Sequence, residues 1–256
     1  MVDQRDTLER LIPEQVHDED PAAAESLELH LRRYEFAAAQ AGEGPLLDMA
    51  CGVGYGTRLL AERRSDLRDL TGVDISPAAI QYARDHYADG ADGASGHIRY
   101  VVEDAMTFGG EGQQRRTFGT IVSLETVEHL PEPDAFFAHL AGMLRPGGVL
   151  VASVPVTPSV DLNPHHLHDF TERTFRKMGE RNGFVEVASQ RQVQNARLRD
   201  LWGSDRRFRR ENLRPNLPVY YLSHPGAFLK RVASTLRRGL ANHYLTIAWK
   251  KGGENS

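Results

Sequence analysis

The sequence predicts an α/β fold in which a seven-stranded, mostly parallel sheet carries helices on both faces. Three observations lead there. Between residues 44 and 190, short apolar runs alternate with helical patterns, the arrangement that favours parallel strands joined through helices. A glycine-rich turn, Gly52-Val53-Gly54-Tyr55-Gly56, stands where the first strand should pass into a helix, and Asp74 ends the next strand about twenty residues later. Finally, His243-Tyr244-Leu245-Thr246-Ile247-Ala248-Trp249 has the alternation and β-branched content of a last strand.

Taken in order, residues 21–41 read as a helix with Leu27, Leu31 and Tyr34 or Phe36 on one face. Pro45-Leu46-Leu47-Asp48-Met49 forms the first strand, and a helix follows over 57–64. The second strand is 70–74, after which Ser76 offers an N-cap and Pro77 the first helical position. Residues 98–102 and 119–124 give strands three and four. A helix over 133–144 is stopped by Arg145-Pro146-Gly147-Gly148 ahead of a fifth strand at 149–154. A helix over 171–182 then leads to a sixth strand at 184–187. Residues 191–242 break the rhythm, being rich in arginine and proline without clear periodicity. They read as an excursion that folds over the active-site mouth, meets a partner subunit in a homodimer, or forms a solvated surface insertion. The expected organisation is therefore an N-terminal helical cap (1–43), a core (44–190), the insertion (191–242), and the last strand with a tail (243–256).

Composition narrows the class. The 256 residues allow one sizeable α/β domain with decorations or two small domains, and 40% hydrophobic with 26% charged residues excludes wholesale disorder. A formal net charge of −4 argues against a protein built to coat nucleic acid. Cys51 is the only cysteine, so no internal disulfide forms, which fits a reducing compartment. The start, MVDQRDTLER, is too charged for a signal peptide, and no apolar run approaches transmembrane length. The expectation is a soluble, cytoplasmic protein with no membrane span.

The glycine turn separates two kinds of nucleotide site. A nicotinamide fingerprint spaces its glycines G-x-G-x-x-G. Here they stand as G-x-G-x-G, with Asp48 four positions ahead. That pattern resembles motif I of class I S-adenosylmethionine-dependent methyltransferases. The resemblance continues through Glu103-Asp104-Ala105 after strand three, Ile121-Val122-Ser123-Leu124-Glu125 along strand four, and Leu144-Arg145-Pro146-Gly147-Gly148-Val149-Leu150 before strand five. It spans residues 44–190 with its motifs in register, and implies a Rossmann-like methyltransferase sheet whose last strand is antiparallel. It also implies S-adenosylmethionine as cofactor, with Gly52 and Gly54 at the methionyl part and Asp48 at its amine or a bridging water. Asp74 would hold the ribose, Asp104 and Ala105 the adenine, and Leu124 its face; Ala50 and Ile75 complete the implied set. Arg33 resembles an N-terminal arginine that some relatives use for the cofactor carboxylate, although it reads equally as a solvated helix charge. Ala50 replaces the family's first glycine, which costs little if the position needs no positive φ.

Chemistry at the acceptor points further along. An aliphatic hydroxyl gives up its proton reluctantly, so neutral pH calls for a base or a metal. If Glu125-Thr126-Val127-Glu128-His129 were helical, Glu125, Glu128 and His129 would share one face at the C-terminal edge of the sheet. Carboxylates suit magnesium or manganese, and imidazole widens the choice to zinc, iron or cobalt. A second cluster, Asn163-Pro164-His165-His166-Leu167-His168-Asp169-Phe170-Thr171, follows strand five. This E-x-x-E-H element with a later histidine resembles the metal-dependent small-RNA 2′-O-methyltransferases and the ubiquinone-pathway O-methyltransferases. Matching H-x-x-x-(aromatic)-T implies His166 as fourth ligand, with His165 and His168 as rivals. Three readings stay open: a metal site of Glu125, Glu128, His129 and His166; catalytic histidines, His129 and His166, working as bases without metal; and purely structural roles.

For the acceptor, Glu9-Arg10-Leu11-Ile12-Pro13-Glu14 and His30-Leu31-Arg32-Arg33-Tyr34 look like the opening of bacterial methyltransferases associated with carbohydrate assembly. Joined to a diol-binding metal, this implies a sugar hydroxyl on a glycoside, oligosaccharide or glycosylated natural product. A catechol or hydroquinone, or an amine if no metal binds, is the alternative. Arg206-Arg207, Arg209-Arg210 and Arg237-Arg238, interleaved with Trp202, Phe208, Tyr220 and Tyr221, would suit RNA, but the negative balance points away from it. A non-catalytic cofactor-binding protein would carry damaged motifs, and these are intact.

Overall fold

The computed structural model describes residues 12–16, 21–88, 98–109, 117–195, 214 and 216–252. Seven strands form one sheet in the order β3-β2-β1-β4-β5-β7-β6. They are β1 Leu46–Met49, β2 Leu70–Asp74, β3 Ile98–Val102, β4 Phe118–Leu124, β5 Leu144–Pro155, β6 Phe184–Asn195 and β7 Ala241–Lys251. β1 through β5 pair in parallel, and β7 runs antiparallel between β5 and β6. This is the Rossmann-like methyltransferase topology that the motif order implies. Because β1 pairs with both β2 and β4, the strand order reverses there, and open α/β sheets bind ligands beyond the carboxyl ends of strands at such a point.

Helices cover both faces, each for a visible reason. On one, α4 (Pro133–Met143) and α5 (Glu172–Arg181) bring Phe136, Phe137, Phe175 and Met178 onto the sheet. Trp249 of β7 is fully buried there, edge-on to Phe175 at 5.0 Å and Phe137 at 5.6 Å, pairs worth about 0.5–1.5 kcal/mol each beyond burial alone. On the other face, α1 (Pro21–Gln40), α2 (Tyr55–Arg63) and α3 (Pro77–Tyr87) set Tyr34, Leu60 and Ile80 against Leu46, Val122 and Val151. α3 starts as its sequence demands: the Ser76 hydroxyl accepts from the Ala79 N–H and Pro77 takes the first position.

Boundaries move at β5, which begins at Leu144 and takes in the expected stop at 145–148, and at β6 and the segment after it. β6 continues eight residues past the expected end at 187, pairing with β7 as far as Asn195↔Ala241. The register shifts between Glu186 and Ala188, so the strand loses the alternation by which it would have been read, and as an edge strand it carries polar residues such as Gln190, Gln192 and Gln194. The segment read as an insertion from 191 therefore begins as sheet. It ends in two helices, α6 (Leu217–Ser223) and α7 (Pro225–Arg238), before β7. Tyr220 and Tyr221 lie on α6 and Arg237 and Arg238 close α7. The pairs Arg206-Arg207 and Arg209-Arg210, Trp202, Phe208, and Glu9-Arg10-Leu11 lie outside the described residues.

Gly119, at the start of β4, shows how tightly β1 and β4 are joined to the preceding turn: a Cβ there would sit 1.8 Å from the Glu43 carbonyl oxygen. Gly119→Ala is expected to destabilise the fold by about 1–3 kcal/mol through overpacking. Gly142 on α4 meets nothing within 4 Å, so Gly142→Ala should stabilise by up to about 1 kcal/mol through helix propensity. Thermal midpoints moving in opposite directions would bear this out; equal shifts would contradict it.

Candidate cofactor and acceptor site

Beyond β1 the chain turns through three left-handed residues, Ala50 (φ 63°), Gly52 (φ 57°) and Gly54 (φ 90°). Ala50 thus does need positive φ, contrary to the condition under which its replacement of glycine would cost little; the alanine bears roughly 1–2 kcal/mol of strain. Gly54 has no room for a side chain, since a Cβ would meet Ala83 Cβ at 2.6 Å and the Tyr100 ring at 2.9 Å. The Tyr100 hydroxyl also donates to the Gly54 carbonyl at 3.0 Å. Asp74, at the end of β2, braces the same turn. Its carboxylate accepts from the Gly52 N–H and the Ser76 N–H, each at 2.9 Å. Ile75 follows it, exposed, and Val102, the register partner of Asp74 on β3, is exposed as well. Asp104 is exposed, its Oδ1 accepting from the Met106 N–H at 2.8 Å, while Ala105 is half-buried and Leu124 buried.

Asp48 is fully buried beneath this turn. The Thr57 hydroxyl donates to it at 2.6 Å and the Tyr34 hydroxyl at 3.3 Å. Burial pushes its carboxyl up to about 7, against the pull of those two donors. Arg33 is also buried, at 3% exposure, which removes its reading as a solvated helix charge. Its Nε donates to Gln192 Oε1 at 2.7 Å, its guanidinium lies 4.3 Å over the Tyr244 ring, and it pairs with Glu125 at 3.4 Å. One turn earlier on α1, His30 Nδ1 stands 2.6 Å from the Tyr55 hydroxyl. Burial and the Arg33 charge hold the His30 ring down at about 3, so it is neutral.

On the acceptor side, the helical face expected over 125–129 does not form. Glu125 takes φ 49°, and only Val127–His129 make a short 3₁₀ turn. The reason is local: the Glu125 N–H meets Ser153 Oγ at 3.1 Å, and that hydroxyl donates to Glu125 Oε1 at 2.7 Å. Glu125 is thereby drawn towards β5 and Arg33. Glu128, His129 and His166 instead come together, with ligand atoms all within 4.8 Å of one another. Glu128 is 1% exposed and both histidines are partly buried. The loop after β5 is stitched to this turn by the Leu167 N–H, which donates to the Glu128 carbonyl at 2.8 Å. His129 Nδ1 lies 3.2 Å from the His165 carbonyl. A carbonyl only accepts, so this nitrogen carries the proton and the lone pair of the neutral ring is on Nε2. His166 Nδ1 is 2.7 Å from Ser159 Oγ, and the two rings meet edge-on at 4.7 Å. Of the rivals, His165 is exposed and His168 Nε2 donates to the Leu130 carbonyl at 2.9 Å.

Residues 47–152 match the model of the methyltransferase domain family. The chain is 31% identical over 128 residues to a ubiquinone biosynthesis O-methyltransferase of Xanthomonas euvesicatoria pv. vesicatoria, a match covering 50% of this chain and 47% of the relative. Phosphoethanolamine N-methyltransferase 1 of Triticum aestivum is 30% identical over 155 residues, covering 57% of this chain and 29% of that one. The chain thus spans less than half the length of these curated relatives. Among solved structures, N-methyltransferase NodS from Bradyrhizobium japonicum WM9, in complex with S-adenosyl-L-homocysteine, superposes with a TM-score of 0.55 at 18% identity, covering 91% of this chain and 89% of that one. Residues 47–152 thus resemble the methyltransferase domain family, and the sheet has the fold of class I methyltransferases.

Several residues of this candidate site escaped the sequence reading. Thr57 and Tyr34 on Asp48, Val102 opposite Asp74, and Ser159 on His166 are of common types in unremarkable positions. Gln192 meets Arg33 across 159 positions of sequence, a separation that no local pattern reports.

The raised Asp48 carboxyl has a consequence for stability. Its folded value lies above the ordinary carboxylate value of about 4, so the folded chain holds a proton that the unfolded chain releases. Stability contributed by this group therefore falls as pH rises from about 4 to about 7 and is level above. Asp48→Asn cannot ionise, and its thermal midpoint should gain on the parent across that window. Parallel midpoints for both proteins from pH 4 to pH 8 would show that Asp48 titrates ordinarily.

Proposed function

We propose that this chain transfers a methyl group from S-adenosylmethionine to a hydroxyl of a small molecule, with a divalent ion held by Glu128, His129 and His166. The acceptor proposed is a sugar, glycoside or glycosylated natural product presenting adjacent hydroxyls. The observation that carries this reading is the convergence of one buried carboxylate and two imidazoles at the C-terminal edge of β4 and β5, beside the turn that would receive the cofactor.

The residues present fit both groups. For the cofactor, the positive-φ turn at Gly52 and Gly54 permits close backbone approach. Asp74 can accept from a ribose, and exposed Ile75 and Val102 offer apolar surface to a planar base near Asp104. For the ion, two imidazoles and a carboxylate suit manganese, iron or zinc better than magnesium, which prefers oxygen ligands. A bound divalent ion would supply Lewis acidity that eases loss of the acceptor proton.

Transfer from a sulfonium is an in-line displacement, so the chain's own work is alignment and proton removal. Glu125, Arg33, Gln192 and Tyr244 form a network, buried at Arg33 and Gln192, that fixes the end of β4. Ser159 and the His165 carbonyl orient His166 and His129, the rings that would bind an ion or take a proton. The wheat relative supports a second reading, an amine acceptor, whose free base attacks without metal assistance.

A panel of sugars, catechols and amines assayed with labelled methyl donor separates the two. Methylation of a hydroxyl acceptor should disappear on chelation and return with manganese. Glu128→Gln and His166→Ala should each lower kcat/KM by about 10²–10⁴. Activity indifferent to chelator, with His129→Ala fully active, would overturn the metal-assisted reading.

A further inference from the structure

Helix α7 is amphipathic in the inverted sense. Its half-buried inward stripe is Ala227, Arg231, Ser234 and Thr235, which are small or polar. Charged contacts hold it to the loop after β5. Lys230 Nζ pairs with Asp169 at 2.6 Å, Arg231 with Asp161 at 2.6 Å and with the Pro158 carbonyl, and Arg238 donates to the Val156 carbonyl at 2.9 Å. The apolar side is turned outward. Leu229 is 66% exposed and Leu236 82%, with Phe228 and Val232 beside them, and Leu222 of α6, 83% exposed, extends the patch. An amphipathic helix docked on a globular body ordinarily buries this side.

Charge says what covers it. Residues 217–240 contain Lys230, Arg231, Arg237 and Arg238 and no aspartate or glutamate. More widely, residues 196–240 hold eleven Lys and Arg against three Asp and Glu, whereas the rest of the chain holds twenty against thirty-two. A helix with leucine and phenylalanine on one side and only basic charge on its flanks matches an anionic lipid surface. A second copy fits poorly, because a two-fold contact over Leu229 and Leu236 would set Arg237 near its own copy.

We propose that α6 and α7 dock on an anionic bilayer, with Leu222, Leu229 and Leu236 entering the headgroup boundary and Arg237 lying among the phosphates. The docked helix would be the one that holds the histidine-bearing loop through Asp161 and Asp169, so membrane contact and the candidate acceptor site share a support. The proposal does not depend on methyl transfer.

The test is flotation of the whole chain with vesicles of phosphatidylcholine mixed with phosphatidylglycerol, and with vesicles of phosphatidylcholine alone. Binding to the anionic vesicles should exceed binding to the neutral ones about tenfold or more at low salt and weaken as salt rises. Leu229→Glu with Leu236→Glu should lower it a further tenfold or more. Both positions are exposed, so the thermal midpoint of this variant should match the parent. Absence of binding, equal retention on both vesicle types, or full retention of the double variant would overturn the proposal. So would sedimentation of the parent as a dimer that the double variant converts to monomer, which would assign the face to self-association. None of these outcomes bears on the metal or the methyl acceptor.

Discussion

The carboxylate of Asp74 holds the site together. It accepts one hydrogen bond from the turn after β1 and another from the start of α3. Bonds to an ionised acceptor are the stronger kind, contributing about 1.5–3 kcal/mol each. Through them the end of β2 fixes how the chain leaves β1, and hence where the left-handed Gly52 and Gly54 stand. Tyr100, donating from β3 to Gly54, completes the brace from the far side. Three strands that share no local sequence are locked into one edge by these contacts, and every other feature of the cofactor side is built on that edge.

The candidate acceptor side is built by a parallel device on β4 and β5. Ser153 holds Glu125 in a left-handed conformation through both its backbone and its carboxylate. Forcing Glu125 out of the helical region makes the next residues turn sharply, so that Glu128 and His129 reach the loop that carries His166. Strain of this kind in a non-glycine residue costs of order 1–3 kcal/mol and persists only where surrounding contacts overdetermine it. Here the Arg33 network, reaching from α1 to β6 and β7, supplies those contacts. The candidate cofactor and acceptor sides therefore meet at Arg33 and Glu125, two residues that touch each other and belong to different motifs.

Most of the fold was legible in the sequence, because its signals are local. Apolar runs mark the strands, Ser76-Pro77 marks the start of α3, and the spacing of Gly52, Gly54 and Asp74 marks the nucleotide edge. What could not be read depends on long-range context. The β-bulge near Val187 hid the far half of β6, since a shifted register destroys period-two alternation. Helical periodicity misled at Glu125, where one hydroxyl on a neighbouring strand outweighs any preference of the five residues themselves. The network around Arg33 is tertiary throughout, and Ala50 shows that a substitution can keep a demanding conformation without announcing it. The inverted amphipathicity of α7 was likewise invisible, because periodicity gives the apolar side of a helix but not which side faces the protein.

Whether the edge braced by Asp74 binds S-adenosylmethionine is the claim on which the rest stands. Calorimetric titration of the chain with S-adenosylhomocysteine, with NAD, and with each again after Asp74→Asn measures it directly. Saturable binding of S-adenosylhomocysteine to the parent, lost or greatly weakened in the folded variant and absent with NAD, is the predicted result. Saturable binding of NAD with no response to S-adenosylhomocysteine would contradict it.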